Sequence, residues 1–226
     1  GVMLVRPLRW VVGDPVFAQL VRSDSAFGGV DVEHDMANRM WIASGFVAGS
    51  LARGSEKAIA ATQRVSNHYF QRPDAADLGL SYDSTRTSLS GWIGEAALAR
   101  QGANFGSIAV KRSSPGLELN DLGFQSRTGY TAISTIAGHQ DFTAGAHFRN
   151  WSWFAFQNDA FNYGGRGLFH AYAARANGTF LNLWTANIGV SRSLDSYHDA
   201  LRRAGPQGRR PGERSDAGSF HTGCSG

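Results

Sequence analysis

The sequence of 226 residues contains a single cysteine, Cys224, and only two lysines, Lys57 and Lys111. One cysteine excludes an internal disulfide framework and a zinc site built on paired cysteines. Charged residues make up 18% of the chain, below the roughly 25% of a typical soluble domain. No apolar run approaches the roughly 18 residues of a membrane-spanning helix. The sequence therefore contains neither a disulfide scaffold nor a candidate transmembrane helix.

Signatures of common active sites are also missing. The sequence contains no G-x-S-x-G, no H-E-x-x-H, no Walker A loop and no complete G-x-G-x-x-G. It therefore yields no catalytic, cofactor-binding or metal-binding residue, predicts no cofactor, and makes an enzyme the less favoured class. The arginines are scattered apart from one group within 202–214, so no nucleic-acid partner is expected.

The histidines are dispersed along the chain, and only one pair is close in sequence. His139 and His147 flank a predicted turn, with Asp141 between them. These residue types can bind a metal ion, but nothing in their spacing is diagnostic. Histidines at a turn and on a sheet face are the favoured interpretation.

Two pairs of acidic residues fall in predicted loops. Glu118 and Asp121 are in one, and Asp195 and Asp199 are in another. Paired carboxylates hydrolyse glycosides when they are held roughly 5 to 9.5 Å apart. Carboxylates in loops are more often solvated, so catalysis is the minor alternative.

Alternating apolar and polar residues predict an all-β fold. Short turns, at 13–14, 37–38, 101–102, 139–140 and 177–178, alternate with longer connections at 23–27, 54–86, 113–123, 158–166 and after 192. In an antiparallel meander this alternation places all the long connections at one end of the sheet, as in outer-membrane barrels. The ten predicted strands cover 2–12, 15–22, 28–36, 39–53, 87–99, 103–112, 124–138, 143–157, 167–176 and 179–192.

The faces of the predicted strands favour a membrane barrel over a soluble sandwich, which alternates as well. In 179–192, one face has Trp184, Ile188 and Val190, whereas the other has Thr185 and Asn187. All six tryptophans fall on predicted strands, where they fit a membrane-interface girdle first, core packing second and a sugar platform third. They are Trp10, Trp41, Trp92, Trp151, Trp153 and Trp184.

The sequence predicts a single helix, which lies in the 54–86 segment. Ser55 is a suitable N-cap, Glu56 favours the first turn, and good helix formers continue to Val65. Pro73 ends any helix before it. Because so short a helix is marginal alone, we expect the segment to rest on the barrel mouth or inside the lumen.

Four runs of sequence resemble a bacterial family called domain of unknown function 5916. They lie at 58–74, 84–91, 114–124 and, more weakly, 202–211. Members of that family look like outer-membrane β-barrels, usually joined to an N-terminal carbohydrate-binding domain similar to family nine modules. The resemblance covers about residues 5–211 and implies location and architecture rather than site residues. Because the N-terminal module and later strands are missing here, the chain resembles an internal fragment of such a protein.

The combined expectation is part of a transmembrane β-barrel, incomplete or open, over residues 1–202, in the outer membrane of a Gram-negative bacterium. Residues 203–226 are expected to be a disordered tail, and 212–226 need not be native barrel sequence. The expected partners are the lipid bilayer and, through the missing module, glycans that are bound or taken up. A surface-exposed carbohydrate-active hydrolase and a soluble β-rich binding domain are the alternatives.

Overall fold

A computed structural model describes residues 2–5, 19–71, 75, 79–121, 125–194 and 219–225, the first and last of these ranges only by their backbone pairing. This part of the chain is nearly all β-structure with one helix. Its elements are, in order, β1 (Val2–Val5), β2 (Arg22–Met36), β3 (Trp41–Gly54), α1 (Glu56–Arg64), β4 (Ser88–Arg100), β5 (Asn104–Ser113), β6 (Tyr130–Asp141), β7 (Phe148–Asn162), β8 (Gly167–Phe180), β9 (Thr185–Ser193) and β10 (Ser219–Ser225). Within the described ranges no helix is long and apolar enough to cross a membrane.

The strands form one antiparallel sheet in which each strand pairs with its neighbours in sequence. This order confirms the predicted meander. In β2 to β9 the side chains are described as well as the backbone. The strands β1 and β10 pair with β2 and β9 and form the two edges of the sheet. The sheet is open and does not close into a barrel.

The connections fall into two groups at opposite ends of the sheet. One end, here called the turn end, has 37–40, 101–103, 142–147 and 181–184. The other, the loop end, has the described parts of 55–87 and 114–129, together with 163–166, and it is also the end at which β1 and β9 finish and β2 and β10 begin. Between β2 and β9, short connections at the turn end alternate with longer ones at the loop end, as predicted, except that 163–166 is as short as the turns opposite. The predicted long connection at 23–27 is absent.

Two predicted connections are wrong because polar residues continue the strands. Residues 23–27 lie inside β2, and 158–162 complete β7. The predicted strand at 15–22 is also wrong in its described part, since 19–21 form a turn and bend before β2. Polarity is a poor sign of a loop here because one face of this sheet is polar.

Two predicted hairpin turns also lie inside strands. Asn177 and Gly178 belong to β8, where a Cβ atom on Gly178 would come within 2.8 Å of the Phe148 ring. That glycine makes room for an aromatic ring rather than for a turn. His139 likewise belongs to β6 and pairs with Asn104 of β5. The predicted turn at 13–14 lies outside the described residues.

The end of the chain differs from the expected tail. Ser219–Ser225 forms β10 and pairs with Thr185–Ser191 of β9. The strand predicted at 179–192 is therefore not an edge of the sheet. The remainder of the expected tail, 203–218, lies outside the described residues.

The register of the sheet is strongly staggered. A row of residues paired from strand to strand begins at Trp41, at the turn end of β3. In β9 the same row reaches Val190, which is only three residues (193 − 190) from the loop end of that strand. Closing a sheet into a barrel requires tilted strands with such a stagger. The row passes through Trp41, Arg100, Gly106, Ala137, Ala155, Ala174 and Val190.

Helix α1 begins where the sequence predicts. The Ser55 hydroxyl accepts a hydrogen bond from the Ala58 N–H at 3.1 Å, which confirms the N-cap. The helix ends at Arg64, and its buried side is formed by Ala58, Ile59, Thr62 and Gln63. Gln63 exchanges two hydrogen bonds with the Asp83 backbone, at 2.8 and 2.9 Å, and so fastens the helix to the chain leading into β4.

Candidate functional site

One face of the sheet has most of its large exposed apolar side chains, and it is interrupted by the polar residues Gln157, Asp159 and His170 on β7 and β8. Side chains directly opposite in the register share a face, so the face can be followed from β2 to β9. Val30 and Val32 are 70% and 67% exposed, and Ile188 at the other side of the sheet is 55% exposed. The large exposed apolar side chains of this face are Val30, Val32, Trp41, Val47, Trp92, Leu98, Ile108, Val110, Trp151, Trp153, Tyr172, Ile188 and Val190.

Aromatic side chains border this apolar face at both ends. Trp92 is opposite Gly49, eight residues (49 − 41) along β3 from Trp41. Tyr172 is opposite Arg192, eight residues (192 − 184) from Trp184. Eight residues of strand span about 27 Å, or about 20 Å along the axis of a barrel whose strands tilt by roughly 40°.

The opposite face of the sheet is polar. Its charged side chains include Asp31, Glu33, Glu95, Lys111 and Arg175, accompanied by serines and asparagines. Lys111 lies 3.7 Å from the Glu95 carboxylate. Phenylalanines are interspersed on this face, but the long exposed aliphatic stretch belongs to the other face.

Two loop-end segments, 55–87 and 114–129, fold back over the polar face; together they are here called the plug. Phe70 and Ala75 of the first segment form a buried apolar cluster with Leu89 of β4. The second segment lies directly on β4, because a Cβ atom on Gly91 would come within 2.1 Å of the Leu117 backbone nitrogen. The main buried core of the described chain therefore lies beneath the plug, with few buried side chains elsewhere on the sheet.

A partly buried charged cluster fastens the plug to the sheet. The guanidinium of Arg22, at the start of β2, lies 2.5 Å from an Asp121 oxygen and 3.3 Å from a Glu118 oxygen. It also donates to the Thr62 hydroxyl of α1 at 3.2 Å. Ser25 of β2 donates to the other Asp121 oxygen. One arginine thus connects β2 with both segments of the plug.

His68 joins the two segments of the plug from beneath. Its side chain is completely buried, and its Nε2 lies 2.8 Å from the Glu118 carboxylate. Its Nδ1 faces the Pro115 carbonyl oxygen at 3.0 Å. Both ring nitrogens of His68 therefore face oxygen atoms of the 114–129 segment.

Glu118 is held in its charged form. Burial raises the pKa of this carboxyl, but hydrogen bonds from His68 and from the Asn120 N–H, together with the charge of Arg22, outweigh burial and leave the pKa below its usual value. The backbone N–H of Glu118 also donates to the Ser50 hydroxyl of β3 at 2.9 Å. The docked plug therefore depends on an ionised Glu118.

An open cleft of about 730 Å³ lies between α1 and the 114–129 segment. Arg22, Glu118 and Asp121 form its charged part, and Asn67 and Gln125 supply amides. No aromatic side chain belongs to the described lining. The cleft thus offers polar contacts to a small solute at the loop end.

The structure brings one of the two predicted carboxylate pairs together. Glu118 and Asp121 share Arg22, and the Glu118 side chain is only 1% exposed. Both carboxylates are occupied by the cluster that holds the plug, which leaves no free acid for glycoside hydrolysis. Asp195 and Asp199 lie outside the described residues, as does Trp10.

The other sequence candidates are separate from this cluster. His139 contacts the Trp151 ring at 4.8 Å and faces the Asn104 side chain at 2.7 Å, on the apolar face near the turn end. Asp141 accepts from the Thr143 N–H. In the described ranges, no group of three or more His, Cys, Asp or Glu residues is placed to hold a metal ion.

Arg22 and His68 were not identified as interacting residues from the sequence. Arg22 and Asp121 are 99 positions apart, and His68 and Glu118 are 50 positions apart, so no local spacing connects them. The nearest signal in the sequence is that His68 belongs to the 54–86 segment, which is expected to rest on the barrel mouth or inside the lumen.

Comparison with known proteins gave no match: no family model, no curated protein and no solved structure matches the chain.

Proposed function

We propose that the chain forms part of the wall of an outer-membrane β-barrel of a Gram-negative bacterium. The exposed apolar face carries this proposal. A soluble sheet buries its apolar face against a second layer. Here the chain's own loops cover the polar face instead, while valines, leucines and tryptophans of the other face stay exposed. Lipid is the solvent that suits such a face.

Two further features support a barrel wall. The staggered register is the geometry that closing a barrel requires. The aromatic borders are about 20 Å apart along the barrel axis, comparable to the apolar band of roughly 25 Å in known outer-membrane barrels. The open sheet then needs further strands beside β1 and β10 to complete the barrel, and these strands would belong to the same protein or to another copy.

In this proposal the polar face lines the lumen, and the plug restricts it. Transport would be passive, because the charged groups of the plug are committed to one another.

Glycan uptake, which rests on the family resemblance, is a separate proposal. The cleft of about 730 Å³ supports it, since side-chain amides, which Asn67 and Gln125 supply in its lining, bind sugar hydroxyls. Calorimetric titration with neutral oligosaccharides tests it, and a lack of heat with any of them would leave the barrel proposal intact.

The barrel proposal is tested by reconstitution of the full chain in phosphatidylcholine vesicles. Lipids brominated on their acyl chains should quench the tryptophan fluorescence, and the strands should resist protease. Water-soluble iodide should quench little. A monodisperse, detergent-free monomer whose tryptophans are all accessible to iodide would contradict the proposal and favour a soluble β-rich domain.

A further inference from the structure

Two side-chain amides in the cleft between α1 and the 114–129 segment have oxygens without a hydrogen-bond donor. Gln125 is 8% exposed, and its Nε2 donates to the Leu117 carbonyl oxygen at 2.9 Å, which holds one end of the amide in place. Asn67 directs its Nδ2 toward the Gln125 carbonyl oxygen at 3.5 Å. No described residue donates to Gln125 Oε1 or Asn67 Oδ1. Because a buried acceptor without a donor costs folding free energy, both oxygens suit a ligand that donates hydrogen bonds.

The charges of the cleft favour a positive ligand. Its described lining has one positive group, Arg22, and two negative groups, Glu118 and Asp121. Arg22 is already engaged by both carboxylates, at 3.3 Å from Glu118 and 2.5 Å from Asp121. Lys57 lies outside this lining and donates to the Gln19 side chain at 3.1 Å. The described lining therefore has an excess of negative charge.

The C-terminal end of α1 adds to the negative potential. The helix ends at Arg64, and Val65, Ser66 and Asn67 of the following turn line the cleft. Carbonyl groups in the last turn of a helix carry a partial negative charge that stabilises a nearby cation. The helix end and the Asn67 amide oxygen thus favour the same kind of ligand.

Part of the cleft lining is apolar. Leu20, Val21 and Val65 are 53%, 39% and 45% exposed, and Ala58 and Ala61 of α1 also belong to the lining. The volume of about 730 Å³ lies within the range of roughly 300–1,000 Å³ for known small-molecule sites. Apolar walls with a few fixed polar groups are typical of such sites, so the cleft suits an organic molecule better than a bare ion.

We propose that this cleft binds a small organic compound with a primary ammonium group, which donates to Gln125 Oε1 and Asn67 Oδ1 while its apolar part lies against the apolar lining. An ammonium group has three N–H donors and no acceptor, so it matches two free acceptors in a negative cleft. A neutral hydroxyl group matches the acceptors but not the charge. The role of this compound as a solute that the plug admits rests on the barrel proposed above, and an amino sugar would also agree with the glycan proposal.

The test is calorimetric titration of the full chain in non-ionic detergent micelles with three probes that share a butyl chain. Butylammonium has both charge and N–H donors, butyltrimethylammonium has the charge without N–H donors, and butanol has no charge. We expect butylammonium to bind about tenfold more tightly than either of the others. Its affinity should also decrease with added salt. Failure of butylammonium to bind, or an affinity equal to that of either other probe, overturns the inference.

Gln125 and Gln71 provide a matched pair of variants. Q125L removes one acceptor and should weaken butylammonium binding about tenfold. Gln71 is an exposed amide of the same plug, outside the described lining, so Q71L should bind butylammonium as the unmodified chain does. Equal affinities of Q125L and Q71L overturn the inference, provided that protease cleavage within 114–129 shows the plug of Q125L to be docked.

Ala61 provides a second pair that leaves the buried packing intact. It is exposed on α1 and lines the cleft. A61E should strengthen butylammonium binding and A61R should weaken it, each about threefold at low salt, and neither should change butanol binding. Glutamate and arginine are both good helix formers, so α1 should be retained in both variants. Equal affinities of A61E and A61R for butylammonium contradict a cation in the cleft, whether or not Q125L folds.

Failure of this inference is distinguishable from failure of the proposed function. Insertion into phosphatidylcholine vesicles, measured by protease protection, does not need a ligand in the cleft. A chain that inserts but does not bind butylammonium contradicts only the ammonium site. A chain that binds butylammonium in micelles but fails to insert supports the site and contradicts the barrel. Binding of neutral oligosaccharides without binding of butylammonium supports the glycan proposal and overturns this one.

Discussion

At the scale of single residues, the plug depends on a few buried polar contacts. Arg22, His68, Glu118 and Asp121 come from three separate parts of the chain, and Glu118 contacts both Arg22 and His68. Removing one member of a buried pair leaves the other charged and unpaired, which costs about 3–5 kcal/mol. The cluster is therefore a sensitive point of the molecule.

Glu118 makes docking of the plug dependent on pH. A carboxyl whose pKa is lowered by folding stabilises the folded state above the unfolded-state pKa of about 4.3, and the contribution is lost as the pH falls through the folded-state pKa. We expect the free energy of unfolding in urea to decrease below about pH 4. E118Q should be less stable at neutral pH and should lack much of this decrease.

Glu95 provides the control for that experiment. It pairs with Lys111 at 3.7 Å but is about one-third exposed, so E95Q should change stability by less than about 1 kcal/mol. Equal pH profiles for E118Q and the unmodified chain would show that Glu118 does not fasten the plug.

Gly91 tests the contact between the plug and β4. A Cβ atom there would lie 2.1 Å from the Leu117 nitrogen, so G91A should displace the 114–129 segment and cost about 1–3 kcal/mol. Gly49, on the neighbouring strand, has its nearest atom at 3.6 Å, so G49A should be tolerated. Protease cleavage within 114–129 measures the effect, and similar cleavage of the two variants would contradict the described packing.

At the scale of elements, the sequence predicted strand identity better than strand ends. Alternating residues correctly located most of β3, β4, β5 and β9. The predicted end of β8 is too early because Asn177 and Gly178, interpreted as turn residues, lie inside the strand, where Gly178 makes space for Phe148 and Asn177 lies on the polar face. The predicted end of β6 is too early because His139 and Gln140, also interpreted as a turn, continue that strand. The cluster around Arg22 could not be predicted, since it depends on contacts between distant segments.

The two faces of β9 predict opposite responses to a charge. Ile188 lies on the exposed apolar face, and Asn187 lies on the polar face opposite Asn177. In lipid, I188R should destabilise the folded protein by about 2–4 kcal/mol near the midplane, whereas N187R should be tolerated far better. Folding yield in phosphatidylcholine vesicles measures this difference. Equal yields would contradict a lipid-facing Ile188.

At the scale of the whole molecule, the exposed surface determines behaviour in water. The open sheet and its apolar face would both meet solvent in the absence of a membrane, and such surfaces associate. We expect sedimentation velocity to show aggregates in detergent-free buffer and a single species in detergent micelles. A single monomeric species under both conditions would contradict this expectation.

The Arg22–Asp121 contact has a consequence for the order of assembly. Every pairing within the sheet joins strands adjacent in sequence, so each new strand can be added beside the one before it. Arg22 and Asp121, in contrast, are 99 positions apart and meet only when β2 to β5 are already side by side. Contacts of such long sequence separation form late. A chain with a misaligned strand among β2 to β5 would leave that arginine without its carboxylates, so docking of the plug would depend on a correctly aligned sheet.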